Sequence, residues 1–343
     1  MTNRRDFIRA SLGAWAYVTA SSGTLNAYQP LPTAYLWDSV YLEHDTGAGH
    51  PERPQRIQAI DDHLQEADWY ASLLQLEPRA AAPATIEGVH DPVYVAKVRE
   101  EVEAGVSALS TGDTTVSERS YWVALNAAGG VLEAVDAVVE GRARNAFVVT
   151  RPPGHHATRD RGMGFCIFNS VAVAARYAQE AHGIERVLIA DWDVHHGNGT
   201  QDIFYRDPTV FYMSTHQWPL YPGTGRVEET GEGRGEGSTM NRPFGAGAGD
   251  AEIVGAFRDD LLPAAREFRP ELVLISAGFD SRVDDLLGGF RVTDAGFQEL
   301  TRIMVEIAGI AGKGRVVSVL EGGYALAGLA SAARAHVQAL VNA

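Results

Sequence analysis

Eight short apolar runs, each closed by a polar or glycine-containing phrase, constrain this chain more than any other feature. They fall at residues 34–37, 73–76, 146–149, 187–190, 210–213, a weaker one near 239–241, 272–275 and 316–319. The clearest of them are continuous, not alternating, so a strand built from them must be covered on both faces. Helical patterns at 53–66, 120–139, 170–181, 251–268, 294–310 and 325–341 lie between and after them. Strands alternating with amphipathic helices predict a single α/β domain: a mostly parallel eight-stranded sheet with helices on both faces. There is no repeat of fixed period, and the glycine-rich stretch 231–237 reads as a surface loop.

In open parallel sheets, ligands bind at the carboxyl ends of the strands. The chemically loaded phrases all occupy that edge. Arg151-Pro152-Pro153-Gly154-His155-His156 follows the third run, Asp191-Trp192-Asp193-Val194-His195 the fourth and Ser214-Thr215-His216 the fifth. Asp280 follows the seventh and Glu321-Gly322-Gly323-Tyr324 the eighth. This common placement predicts one site. An extended backbone would send Asp191, Asp193 and His195 out on one face. Asp193, His195 and Asp280 then make a mixed N/O donor set that leaves a position open, as a catalytic zinc site does. Two carboxylates and one imidazole also suit Fe(II) or Mn(II).

His155 and His156 follow a rigid Pro-Pro-Gly turn. Two adjacent buried imidazolium ions repel, so one ring is expected neutral as a base while its neighbour carries charge. Tyr324 follows two glycines that permit a tight turn, and its hydroxyl is placed to donate to an oxyanion.

With 29 Lys+Arg against 44 Asp+Glu, the formal charge is −15, which repels nucleic acid phosphates and suits basic or amine ligands. One cysteine, Cys166, excludes an intramolecular disulfide framework. The first residues are read apart from the fold. Asn3-Arg4-Arg5-Asp6-Phe7-Ile8-Arg9, with the mildly apolar stretch up to Ala20, resembles a twin-arginine export signal. Cleavage near Ala20 or Ala27 divides the chain into a signal, 1–27, and a mature domain, 28–343. That predicts a periplasmic or otherwise exported protein, or a cytoplasmic one should the segment be only an N-terminal arm. The stretch is too short to span a bilayer.

Taken together, the phrases resemble the arginase–deacetylase fold, and within it the class II histone deacetylases and their bacterial amidohydrolase relatives. The resemblance runs over about residues 35–340. It rests on Gly49-His50-Pro51-Glu52-Arg53-Pro54, Arg151–Ala157, Gly164-Phe165-Cys166-Ile167-Phe168-Asn169, Asp191–Gln201, Tyr221-Pro222-Gly223-Thr224-Gly225, Ser276–Asp280 and Leu320–Tyr324. It implies a zinc-dependent deacetylase acting on acetyl-lysine or a related acylated amine, with an acetylpolyamine amidohydrolase as the alternative. Zinc would be held by Asp193, His195 and Asp280, with His156 as general base and acid, His155 its electrostatic partner, and Tyr324 the oxyanion donor. Asn198 stands opposite His156 where class I members carry an aspartate. Asp191 would orient His155 and, with Ser214, resembles a potassium site. Phe204, Asp207, Val210 and Phe244 resemble a second potassium site. Gly164, Phe165, Tyr221 and Leu287 would line the substrate tunnel, Asp113 would orient substrate and Arg53 would serve product exit. The family's Asp-Pro-Leu-Gly-Gly phrase reads Asp285-Leu286-Leu287-Gly288-Gly289 here.

A ureohydrolase would share the fold but needs two bridged metals. This chain has Gly197 where an Asp-x-His-x-Asp phrase would place its second aspartate, and lone Asp280 where an Asp-x-Asp pair would stand. A non-catalytic binder of acyl or amine ligands would be favoured by loss of Tyr324, His156 or a metal ligand, and all are present.

Overall fold

The computed structural model describes residues 31–343; the predicted export signal lies outside the described residues. Strands β1 (Thr33–Leu36), β2 (Leu74–Gln75), β3 (Asn145–Val148), β4 (Val187–Asp191), β5 (Val210–Gln217), β6 (Thr239–Phe244), β7 (Leu272–Ala277) and β8 (Val316–Leu320) form one sheet. Their order is β2-β1-β3-β8-β7-β4-β5-β6, and every pairing is parallel. The β1, β3, β4, β7 and β8 residues are all buried, as continuous apolar runs require.

Ten helices accompany the sheet among the described residues: α1 (Gln55–Gln65), α2 (Pro83–Glu87), α3 (Pro92–Glu103), α4 (Ser120–Val139), α5 (Ser170–His182), α6 (Asn198–Phe204), α7 (Asp250–Gly255), α8 (Leu262–Phe268), α9 (Asp294–Gly309) and α10 (Leu326–Val341). Neighbouring residues of β1 show how both faces are covered. Tyr35 turns to α1, where its hydroxyl donates to Asp61 Oδ1 at 3.1 Å, while Leu36 turns to α4, tight against Gly130. α4 is long and apolar enough to cross a membrane, with mean hydropathy 1.4, but it is a core helix whose apolar residues are almost all buried in the fold.

The stretch expected as one helix at 251–268 is interrupted. A π-helical turn at Ala256–Leu261 separates α7 from α8, and the Leu262 amide bonds the Phe257 carbonyl, five residues back. Pro263 follows immediately; it has no amide to continue the ladder, which accounts for the change of pitch. Helices α2, α3 and α6 were not anticipated.

β3 and β4 are consecutive in the chain yet lie three positions apart, with β8 and β7 inserted between them. The chain runs one way across the sheet from β3 to β6 and returns through β7 and β8, so the connections after neighbouring β7 and β4 leave in opposite directions, where open α/β sheets form their ligand crevice. The pairing aligns Val148, Val319, Ser276, Asp191 and Ser214 across one row, so the loops after β3, β8, β7 and β4 leave the sheet side by side.

Candidate active site

The loop after β4 does not stay extended. The strand ends at Asp191, and the chain then bends through two side-chain-to-backbone turns. Asp191 Oδ1 accepts the Asp193 amide at 3.1 Å, and Asp193 Oδ1 accepts the His195 amide at 2.9 Å. Short acidic side chains favour such turns. Convergence thus arises from bends, and Asp191 is separated from the other two. The Asp191 carboxylate instead receives His155 Nδ1 at 3.0 Å and the Tyr212 hydroxyl at 3.2 Å.

Asp193, His195 and Asp280 do meet. His195 Nδ1 lies 3.0 Å from Asp193 Oδ1 and 3.1 Å from Asp280 Oδ2, and the three donors fall within 4.8 Å of one another. Asp280 Oδ1 is steadied by the Val194 amide at 2.8 Å, and Asp193 Oδ2 by the Gly322 amide at 2.8 Å. A Cβ on Gly278 would strike Asp193, and one on Gly322 would strike both carboxylates, so both glycines are needed for this approach. Burial and the Asp193 charge push Asp280 up to about 7. Crowded buried carboxylates of this kind fit a divalent cation, which would relieve their repulsion.

Beside them stand the two histidines, ring centroids 4.0 Å apart. Burial alone would lower the His155 pKa, but the Asp191 and Asp193 charges outweigh it and hold the ring protonated, at about 10. His156 goes the other way: burial, then the charges of His155 and His195, push it well below the ordinary value. Its Nδ1 lies 2.8 Å from Asn198 Oδ1, an acceptor, which leaves Nε2 unprotonated and free to take a proton. The doublet thus splits into one charged and one neutral ring, as expected from sequence.

Tyr324 is buried with its hydroxyl kept protonated, burial raising its pKa well above 10. The Tyr324 and Ala325 amides bond Asp285 Oδ2 at 2.7 and 3.0 Å, and Asp285 Oδ1 accepts the Leu287 amide at 3.0 Å. Asp285 therefore fixes the rim loop without the family's proline. A tunnel of about 270 Å³ leads down to His156, His195 and Tyr324 between Gly164, Phe165, Leu220, Tyr221 and Leu287, with Asp113 also in its lining. Asp113 Oδ1 accepts the Gly164 amide at 2.7 Å. A Cβ on Gly164 would run into the His156 ring, so glycine there leaves the imidazole room at the wall.

Ser214 sits on the rung of β5 directly beside Asp191. The second set does not assemble. Phe204, Asp207 and Val210 lie near the start of β5, whereas Phe244 pairs with Gln217 at its far end, about 23 Å along the strand. Asp207 is bound to Arg176 at 2.6 Å. Phe244 therefore cannot share a cation with the other three. Cys166 is a buried thiol, donating to the Gly164 carbonyl at 3.3 Å.

Sequence reasoning passed over a fully buried ionic cluster behind Tyr324. Arg56 faces the site, its guanidinium 4.8 Å from the centroid of the Tyr324 ring. It lies on the same stripe of α1 as buried Ile60 and Leu64, and a charge on an apolar stripe is the signal that identifies it. Glu52 and Arg151 complete the cluster. Glu321 Oε2 accepts the Gly154 and His155 amides at 2.7 and 3.1 Å, tying the Tyr324 turn to the histidine turn.

Residues 50–340 match the histone deacetylase domain. A probable deacetylase of Archaeoglobus fulgidus is 40% identical over 86% of this chain and 82% of its own length. Human polyamine deacetylase HDAC10 is 41% identical over 90% of this chain, which spans 46% of that protein. The crystal structure of the HDA15 HD domain superposes with a TM-score of 0.86 at 38% identity, covering 91% of this chain and 88% of that one. The fold, the phrases at its carboxyl edge and these relatives agree: the chain belongs to the histone deacetylase family of hydrolytic deacetylases.

Proposed function

We propose that this chain is a zinc-dependent deacetylase that hydrolyses acetyl-lysine or a closely related acylated amine. The supporting observation is a single constellation at the foot of an apolar tunnel. It joins the three converged donors, one imidazole with a free Nε2 and one buried tyrosine hydroxyl. Asp193, His195 and Asp280 would hold the zinc; iron(II) is the second choice for this donor set. When bound, zinc supplies Lewis-acid polarisation of the amide carbonyl and activation of the attacking water.

His156 takes the proton from that water at Nε2 and returns it to the departing amine. His155, charged and held by Asp191, favours negative charge developing beside it. Tyr324 donates its hydroxyl to the carbonyl oxygen as that oxygen gains charge. Phe165 and Tyr221 enclose the alkyl stem and exclude water. Asp191 with Ser214 is the candidate potassium site. The polyamine activity named for the human relative is the second reading, and Leu287 at the rim disfavours it. An apolar side chain there gives the distant ammonium no partner. We further propose that residues 1–27 direct export.

The test is metal analysis alongside turnover of acetylated peptides. Asp280→Ala and His195→Ala should lose metal and hydrolysis together, and a metal-free enzyme that still turns over would reject the reading. Tyr324→Phe should keep the metal and lose about 10²–10³ in kcat, the size of one oxyanion donor.

A further inference from the structure

Glu52 is fully buried and holds two fully buried arginines. Arg151 grips it with both arms of its fork, Nε to Oε1 at 2.5 Å and Nη2 to Oε2 at 2.7 Å. Arg56 Nη1 reaches Oε1 at 3.0 Å. The rest of the Arg56 guanidinium points toward the candidate active site. Nε donates to the Gly323 carbonyl and Nη2 to the Glu321 carbonyl, both at 2.5 Å, and the group lies 4.8 Å from the centroid of the Tyr324 ring. Arg151 Nη1 donates to the Tyr41 and His44 carbonyls, each at 3.0 Å, so the Glu52 carboxylate is anchored from behind.

Such a cluster is a weak source of stability. Desolvating three charges costs several kcal/mol per ion, and apolar replacements of buried ion groups are often neutral or better. What it does supply is direction. A planar guanidinium bound on one edge by a carboxylate has its remaining N–H groups fixed in angle. Here those groups aim at two carbonyls of the turn that carries Tyr324.

We infer that Glu52 is a positioning residue for the reaction: by orienting Arg56, it sets the turn Glu321–Gly323 and hence the Tyr324 hydroxyl. The inference rests on the reading of Tyr324 as oxyanion donor. Glu52 touches neither substrate nor metal. Its removal should therefore leave zinc stoichiometry and KM unchanged and act on kcat alone.

The experiment is a double-mutant cycle on the zinc-loaded full chain, using an acetyl-lysine peptide. Glu52→Gln should lower kcat by about 30–100-fold, the scale of a catalytic group displaced by a fraction of an ångström to one ångström. Glu52→Asp should recover part of that loss. In a Tyr324→Phe background the cost of Glu52→Gln should shrink to less than about threefold, because the hydroxyl it positions is gone. Arg56→Lys keeps a buried cation against Glu52 but cannot reach both carbonyls, and should show the same coupling. An unchanged kcat, a loss carried by KM or zinc content, or equal costs in both backgrounds would overturn the inference. So would failure of both variants to fold, since the cluster would then serve the core. If Tyr324→Phe costs activity while the pairs do not couple, only the positioning role falls. If Tyr324→Phe costs nothing, the oxyanion reading falls with it.

Discussion

His336 offers a quantitative test of the packing behind the site. Its ring is fully buried on α10, 5.1 Å from Phe147, 5.5 Å from Trp192 and 6.0 Å from Phe279. Nδ1 meets Thr301 Oγ1 at 2.7 Å and Nε2 meets Ser318 Oγ at 2.9 Å, so both nitrogens are satisfied by neutral groups. Burial lowers its pKa from 6.5 to about 3. Between those values the unfolded chain binds a proton that the folded chain refuses, so this group's contribution to stability falls as pH falls from 6.5 toward 3. Each unit is worth about 1.4 kcal/mol, giving about 2 kcal/mol by pH 5 and about 5 over the whole span. His336→Gln keeps hydrogen-bonding capacity but cannot charge. At pH 8 it should be less stable than wild type by about 1–3 kcal/mol, from imperfect packing and hydrogen bonding. That deficit should shrink by about 2 kcal/mol at pH 5. Urea unfolding at fixed free zinc and salt, from pH 8 down to pH 5, measures it. The other buried histidines, His44 and His90 among them, occur in both chains and cancel in the difference. Parallel stability curves for the two proteins would refute the argument.

The glycine cradle predicts that Gly322→Ala folds normally but weakens zinc binding at least about tenfold, read by titration against a chelator; unchanged affinity would show that the two carboxylates do not crowd that glycine. At the tunnel rim, wild type should prefer acetyl-lysine substrates to N8-acetylspermidine in kcat/KM. Leu287→Glu should move the ratio toward the polyamine by about 1–3 kcal/mol, and a wild-type preference for the polyamine would remove the assignment. For export, Arg4→Lys with Arg5→Lys should leave the precursor in the cytoplasm on cell fractionation. A wild-type protein found only there, with residues 1–20 intact, would reject the signal.

Continuous apolar runs made the sheet readable, because strands buried on both faces leave no other pattern. α4 was readable end to end for the same reason: Val123, Ala127, Val131 and Val135 repeat at helical spacing and are all buried. α6 was hidden because its seven residues begin inside the histidine loop and carry no stripe of their own. α3 had a usable signal, Asp91 capping the Val93 amide at 2.8 Å ahead of Pro92 at the first turn, which the pattern of apolar residues alone does not weigh. The donor trio was legible from residue types at strand ends, although bends rather than an extended strand bring it together. The misplaced Phe244 shows the limit. Which residues share an end of the sheet depends on register, and register is a property of pairing that no single strand displays.

The strand order has a consequence for how the chemistry is divided. Remove β8 from the sequence of neighbours and the sheet falls into two blocks, β2-β1-β3 and β7-β4-β5-β6. The first block carries His155 and His156; the second carries Asp193, His195 and Asp280. On the proposed mechanism, the groups that would move protons and those that would hold the metal therefore belong to separate parts of the chain, divided between β3 and β4. Among the described residues, β8 is the one strand hydrogen-bonded to both. Its following turn also brings Tyr324 and the Glu321 carboxylate that grips the histidine turn. On that mechanism, β8 is the strand that would join a metal-holding block to a proton-transferring one.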